Sequence, residues 1–319
     1  MKKFIEAEEL IFGTKVYQKI YSDSKDAKLI LNKANTIMRN FEESLSFFKE
    51  YSDVSRVNQN AGKKFVKVSK DTFEIIRKSK NFSEITDGLF DITIAPLVKE
   101  WGINTYNPQI IKEDKIKEVL SLVNYKDIIL DEKNSGVMLA KENQKIDLGG
   151  IAKGYIADKV IEFYKESKVT SAIINIGGNI KVLGKTNKNK LWDIGIYNPK
   201  KHSKDIICSI LVENLSVVTS GGYERAFMYD GDTYHHILNP CTGYPAKTDL
   251  KSITVVSEDS IKGDAFSTSL FIMGKYKACE FMKKNGISGV MITEDTEIIV
   301  TKNLIEKFNL FTDYKVLAF

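Results

Sequence analysis

The chain has 319 residues, 43% of them hydrophobic and 28% charged, and a net charge of +5. These are the proportions of a folded globular protein long enough to bury its core without disulfides. Three cysteines (Cys208, Cys241 and Cys279) with no CxxC spacing argue against a disulfide framework or a cysteine zinc site, and the lysine excess is spread too evenly for a nucleic-acid stripe.

No apolar run approaches the ~18 residues of a transmembrane helix. The start, MKKFIEAEEL, is interrupted by Glu6, Glu8 and Glu9, and no cysteine near it offers a lipid-attachment site. The expectation is a cytoplasmic protein without a transmembrane segment, or an extracytoplasmic one if a leader has been removed.

Residues 9–21 read as a strand with one Gly-Thr interruption. A long amphipathic helix is predicted over 24–48, where Ala27, Ile30, Leu31, Ala34, Ile37, Met38, Phe41, Leu45 and Phe48 recur at three- and four-residue steps and Ser24 offers an N-cap. The polar stretch 49–63 reads as a loop. A short strand (65–68) and a helix (70–86) follow, then an apolar run (89–101) broken by Pro96 and a helix over about 111–121. Strands are predicted near 126–130, 136–140 and 145–148, and a helix over 151–166 with Ile151, Tyr155, Val160, Ile161 and Tyr164 as its buried stripe. Short β segments with glycine turns fill 171–257, a helix spans 261–285, and a hairpin around Glu294-Asp295 spans 288–301. Helices and strands mix without βαβ alternation, so the fold class is α+β, a single catalytic unit of two interleaved lobes with mixed, mainly antiparallel sheets.

Four segments can carry chemistry. In IDLGGIAKGYIADKV (146–160) a strand ends at Asp147, two glycines turn, and a helix begins with Lys153 in its first turn. Such a turn lets backbone approach a phosphate, and a cation opposing the helix dipole there suggests an anionic partner; it reads equally as a plain strand-to-helix turn. In INIGGNIKVLGK (174–185) the glycine pair reads as a hairpin turn or bulge. In YHHILNPCTGYP (234–245) two adjacent histidines precede a strong turn signal. Only one of His235 and His236 can face a site from an extended chain, as a base or a substrate contact, or else as a surface histidine. In KGDAFSTSLFIMG (262–274) Asp264 and Thr268 share a helix face. They suit Mg²⁺, an oxygen-seeking ion, although Asp264 could equally cap its helix.

Taken in order, DLGGIAKGY, INIGGN, SGGYER, HHILNPCTGYP and DAFSTS resemble the ApbE family, the FAD:protein FMN transferases. FGT (12–14), SDVSRVN (52–58) and GLFDITIAPLVKEWG (88–102) match that family's N-terminal half in the same order. The resemblance implies one ApbE-type domain over 1–319. It also implies FAD as substrate and transfer of its FMN part, dependent on Mg²⁺, to a threonine or serine of a target protein, with release of AMP. By motif it places Asp264 and Thr268 on the metal, with a backbone carbonyl from Gly150. Asp147 and Lys153 fall on the nucleotide, Phe90 and Asp91 in a cofactor-contacting stretch, Glu224 toward the flavin, and Phe12 and Phe48 against the rings. His236, not His235, aligns with the family histidine and is the expected general base.

Three departures stand out. Asn239 replaces an Asp expected to orient the histidine, Phe48 replaces a tyrosine, and Phe266 replaces a leucine as a packing change. The family's target motif, D-x-x-[ST]-x-A-[TS], does not occur in this chain, so modification is expected in trans. The same residues would also serve an FAD pyrophosphatase giving FMN and AMP, or a protein that binds FAD without turnover.

Overall fold

The structure is a computed structural model and describes residues 4–22, 26–103, 105, 108–200, 203–223 and 225–319. Its centre is a nine-stranded sheet. In spatial order the strands are Phe4–Ile11, Thr14–Tyr21, Ala172–Ile176, Asn179–Leu183, Ser216–Gly221, Leu250–Ser257, Ser288–Thr293, Ile298–Val300 and Val316–Ala318. Every neighbouring pair is antiparallel except the last, which is parallel.

The helices are α1 (Ala27–Leu45), α2 (Asp53–Gln59), α3 (Lys70–Ile85), α4 (Ala95–Trp101), α5 (Glu113–Leu120), α6 (Ala152–Glu166) and α7 (Ser260–Asn285). Alternation along the strands gives the large sheet two apolar faces. Met291, Ile253 and Val255 join one cluster with α1, α6 and α7. Val290, Ile292 and Val256 point the other way, toward Trp192, Ile194 and Ile210 of a three-stranded sheet (Trp192–Tyr197, Ile206–Val212, Phe308–Leu310). A smaller cluster joins Leu97 and Trp101 of α4 to Ile116 and Val119 of α5 and to Leu238.

Several expectations need correction. Residues 9–21 are not one strand but belong to a hairpin, Phe4–Ile11 paired with Thr14–Tyr21. Its two-residue turn places both Phe12 (φ 58°) and Gly13 (φ 63°) in the left-handed region, the backbone sense that matches strand twist. The polar stretch 49–63 contains α2, whose N-cap Ser52 accepts the Ser55 N–H. Polarity hid this helix because it is only two turns long. The run around Pro96 is a 3₁₀ turn (Ile92–Ile94) followed by α4, which begins at Ala95 with the proline in its first turn, where a missing N–H costs nothing. No strand forms at 145–148, where Asn58 clamps the Ile146 backbone instead, its side chain donating to the carbonyl at 3.0 Å and accepting from the N–H at 2.7 Å.

Helix α1 begins at Ala27; the expected cap Ser24 lies outside the described residues. Helix α7 is interrupted at Gly274, whose φ of 74° no other residue type adopts readily. The helix over 151–166 holds as predicted, with its five stripe residues buried.

Candidate active site

The Asp147-to-Lys153 turn and the start of α7 meet through a reciprocal clamp. Asp264, buried in the first turns of α7, accepts the Gly154 N–H of α6 at 2.9 Å through Oδ2. In return, Asp158 of α6 accepts the Ser260 and Ile261 N–H groups of α7 at 2.9 and 3.0 Å and pairs with Lys181. Each helix thus satisfies free amides of the other with a carboxylate, a charge-assisted arrangement favoured by both helix dipoles. Asp264 therefore does not cap its own helix. The crossing is tight: a Cβ on Gly154 would stand 2.4 Å from the Ser260 carbonyl oxygen.

A cation sits at this junction. The Lys153 ammonium lies 3.0 Å from the Gly149 carbonyl oxygen and 3.6 Å from Asp264 Oδ1. Asp147 accepts the Gly149 N–H at 2.8 Å. Desolvation pushes the Asp147 carboxyl up, opposed by that bond and by Lys153. The turn carbonyl facing the ammonium is that of Gly149, one residue before the expected donor Gly150, which rests over the ring of buried Phe90. Thr268 lies one turn beyond Asp264, and its hydroxyl donates to the Asp264 carbonyl at a long 3.3 Å.

The oxygens within reach of this junction are hard donors: the Asp264 carboxylate, the Gly149 carbonyl and, one helical turn on, the Thr268 hydroxyl. That suits Mg²⁺, which takes few protein ligands and keeps waters or phosphate oxygens for the rest. The Lys153 ammonium already rests against two of them, the Gly149 carbonyl and Asp264 Oδ1.

The two histidines hold opposite tautomers. A carbonyl only accepts, so His235 carries its proton on Nε2, 3.0 Å from the Ala246 oxygen, while its Nδ1 accepts the Ile237 N–H at 3.3 Å. Both nitrogens are occupied, and the ring packs edge-on against Phe271. His236 Nδ1 faces the Arg225 carbonyl at 3.3 Å, which places its proton there and leaves Nε2 with a lone pair. Burial, followed by the charge of Arg225, lowers the His236 pKa to about 4, and Lys153 adds to the effect. His236 and Lys153 therefore share one electrostatic neighbourhood.

Asn239 does not orient His236. Its Oδ1 accepts the Cys241 N–H at 2.9 Å, and its backbone closes the turn with Gly243 and Tyr244. The turn is pinned to α4 by the Trp101 indole, which donates to the Gly243 oxygen at 2.8 Å. Tyr234 stacks on Trp101 and on Phe227, its cross-strand partner in a two-stranded hairpin, Ala226–Tyr229 with Asp232–His235.

The remaining predicted residues have local roles. Both Asp91 oxygens are engaged, by the backbone and hydroxyl of Thr93 and by the Tyr125 N–H, so this carboxylate caps its own turn. The Phe12 N–H donates to Glu42 at 2.7 Å at the hairpin tip. Phe48 is 87% exposed, edge-on to Phe47. Glu224 lies outside the described residues. The packing change at Phe266 is as read: the ring meets Phe82 and Phe281 edge-on.

Sequence reasoning passed over Asp158 and Lys181. One signal was available: no side chain ahead of α7 caps its free amides, which implies a carboxylate supplied from elsewhere.

The fold and the junction together define an α+β protein in which a glycine turn and the Lys153 ammonium meet a buried carboxylate of a second helix. The sequence model of the ApbE family matches residues 12–291, and the chain belongs to that family. The FAD:protein FMN transferase of Klebsiella pneumoniae (strain 342) is 35% identical over 293 residues, covering 92% of this chain and 90% of that protein. The FAD:protein FMN transferase of Treponema pallidum (strain Nichols) is 30% identical, with coverages of 94% and 87%. Among solved structures, the ApbE protein of Thermotoga maritima superimposes with a TM-score of 0.88 at 32% identity, covering 94% of this chain and 98% of that one. The flavin transferase ApbE of Vibrio cholerae, at 22% identity and a TM-score of 0.85, shares the fold.

Proposed function

We infer that this chain is an FAD:protein FMN transferase: it moves the FMN part of FAD onto a threonine or serine hydroxyl of a target protein and releases AMP. Family membership and the full-length similarity to proteins of that name support the reaction class. The observation that carries the site is the meeting of Asp264, Lys153 and the Gly149 turn.

The step balances simply. The hydroxyl oxygen forms a bond to the FMN-side phosphorus, and the bond from that phosphorus to the oxygen bridging to AMP breaks. AMP leaves with the electron pair. The hydroxyl proton passes to His236 Nε2, the lone-pair nitrogen of a ring neutral at pH 7. The Arg225 carbonyl holds the ring in that tautomer. Lys153 offsets the charge of the pyrophosphate.

Asp264, Thr268 and a turn carbonyl would hold Mg²⁺, which when bound supplies further charge neutralisation at the phosphates. The buried ring of Phe90 lies beside Gly150 of the glycine turn.

The test is covalent flavin fluorescence on a denaturing gel, with FAD, Mg²⁺ and a protein bearing a D-x-x-[ST]-x-A-[TS] segment. Wild-type enzyme should label the target and Asp264→Ala should not. FMN release at the same rate with and without the target would mark a hydrolase and overturn the transfer reading.

A further inference from the structure

Asp264 has two carboxylate oxygens, and they are not equivalent. Oδ2 is committed to the Gly154 N–H at 2.9 Å, inside a helix crossing too tight to rearrange. Oδ1 is the oxygen left for a metal, and the Lys153 ammonium faces it at 3.6 Å while also contacting the Gly149 carbonyl at 3.0 Å. An ammonium and a divalent cation cannot both occupy that position, because their mutual repulsion at contact distance exceeds what one carboxylate oxygen returns.

We propose that Lys153 is the resident cation of the metal-free enzyme and that a divalent ion must displace its ammonium to bind. The proposal rests on the Mg²⁺ reading of Asp264 given above and assigns Lys153 a second task within it. Its side chain is 29% exposed on a flexible four-carbon stem, so the displaced ammonium has somewhere to go. It remains close enough to bear on Asp147 and His236 electrostatically. With a dinucleotide present, the displaced charge meets phosphate oxygens instead of water. Metal and dinucleotide then strengthen each other's binding, because each takes up what the other releases, and the coupling is reciprocal by thermodynamic necessity. The lysine keeps the buried carboxylate neutralised until substrate and metal arrive together.

The experiment measures metal binding without nucleotide or catalysis. Mn²⁺ is titrated into wild-type enzyme, Lys153→Met and Lys159→Met, and free Mn²⁺ is read by electron paramagnetic resonance. Lys159 is a fair control: it lies on the same helix with the same charge but pairs with Glu162 and the Tyr155 ring. Lys153→Met should bind Mn²⁺ about tenfold more tightly than wild type, and Lys159→Met should stay within about twofold. In parallel, an amine-reactive reagent is applied to wild-type enzyme and Lys153 modification is followed by mass spectrometry. The rate should rise severalfold at saturating Mg²⁺.

Equal affinity in the two variants, or a Lys153 labelling rate indifferent to Mg²⁺, would overturn the proposal while leaving Asp264 as a metal ligand. Wild-type enzyme that takes up no Mn²⁺ at all would overturn both readings.

Discussion

His235 and His236 differ by one position and by which nitrogen is protonated. Backbone carbonyls decide this, through Ala246 for one ring and Arg225 for the other. A base needs its lone pair directed at the substrate, and only His236 Nε2 is left in that state. With the pKa of His236 lowered to about 4, the ring is neutral throughout the physiological range. Transfer should therefore be nearly flat between about pH 6 and about pH 8, and should fall only on acidification toward about pH 4, as a single-turnover pH profile would record. His236→Asn should slow transfer by about 10²–10⁴-fold with FAD affinity retained, measured by quenching of flavin fluorescence. Near-normal transfer by that variant would remove His236 from the chemistry. Asn239 shows how a motif departure can be harmless: an Asx turn needs only a side-chain oxygen, which Asn supplies as Asp would.

Among elements, the crossing of α6 and α7 decides the site. Gly154→Ala would drive a methyl into the Ser260 carbonyl and force the helices apart. The expected loss is about 1–3 kcal/mol in urea unfolding, together with weakened metal binding as Asp264 shifts. Asp158→Ala should cost more, about 3–5 kcal/mol, because it strands the largely buried Lys181 ammonium and two α7 amides. The elements around this junction were legible to different degrees. Helices α1, α3, α6 and α7 were readable from apolar residues recurring every three or four positions. Helix α2 and the first hairpin were not, since two helical turns carry too few apolar positions to show a period, and the Phe12-Gly13 turn interrupts no polarity pattern. Asp264 and Thr268 were recognisable within a motif, whereas Asp158 sat unremarked in mid-helix because its partners lie 102 and 103 residues away.

At the scale of the molecule, the nine-stranded sheet is covered by helices on one face and a small sheet on the other, and its long first strand is an open edge. That strand, Phe4–Ile11, carries Glu6, Glu8 and Glu9, a charged edge of the kind that discourages pairing with another sheet. Among the described residues no helix is long and apolar enough to cross a membrane. Acid should loosen the whole fold through His235 and His236. Both have pKa values lowered from 6.5 by burial, so the unfolded chain takes up protons that the folded one refuses. Their effect is absent above pH 6.5 and grows as pH falls toward about 4, which thermal unfolding across that window would show as a falling Tm. Because the family's target motif is missing from the chain, intact-mass measurement after incubation with FAD and Mg²⁺ should find no flavin adduct on the enzyme itself.

What the amino-acid order determined alone was everything carried by short-range pattern: the α+β class, the principal helices, the glycine turns, and the family to which the ordered motifs belong. Such features follow from periodicity and backbone permissiveness, which are local properties. What only the tertiary structure decided was pairing across distance: which oxygen of Asp264 is committed, which nitrogen of His236 faces the Arg225 carbonyl, and that the Lys153 ammonium of α6 meets Asp264 of α7. Those outcomes depend on groups up to 110 residues apart being held within hydrogen-bonding distance. Packing of the two helices against a shared sheet achieves this, and no local window of sequence encodes it.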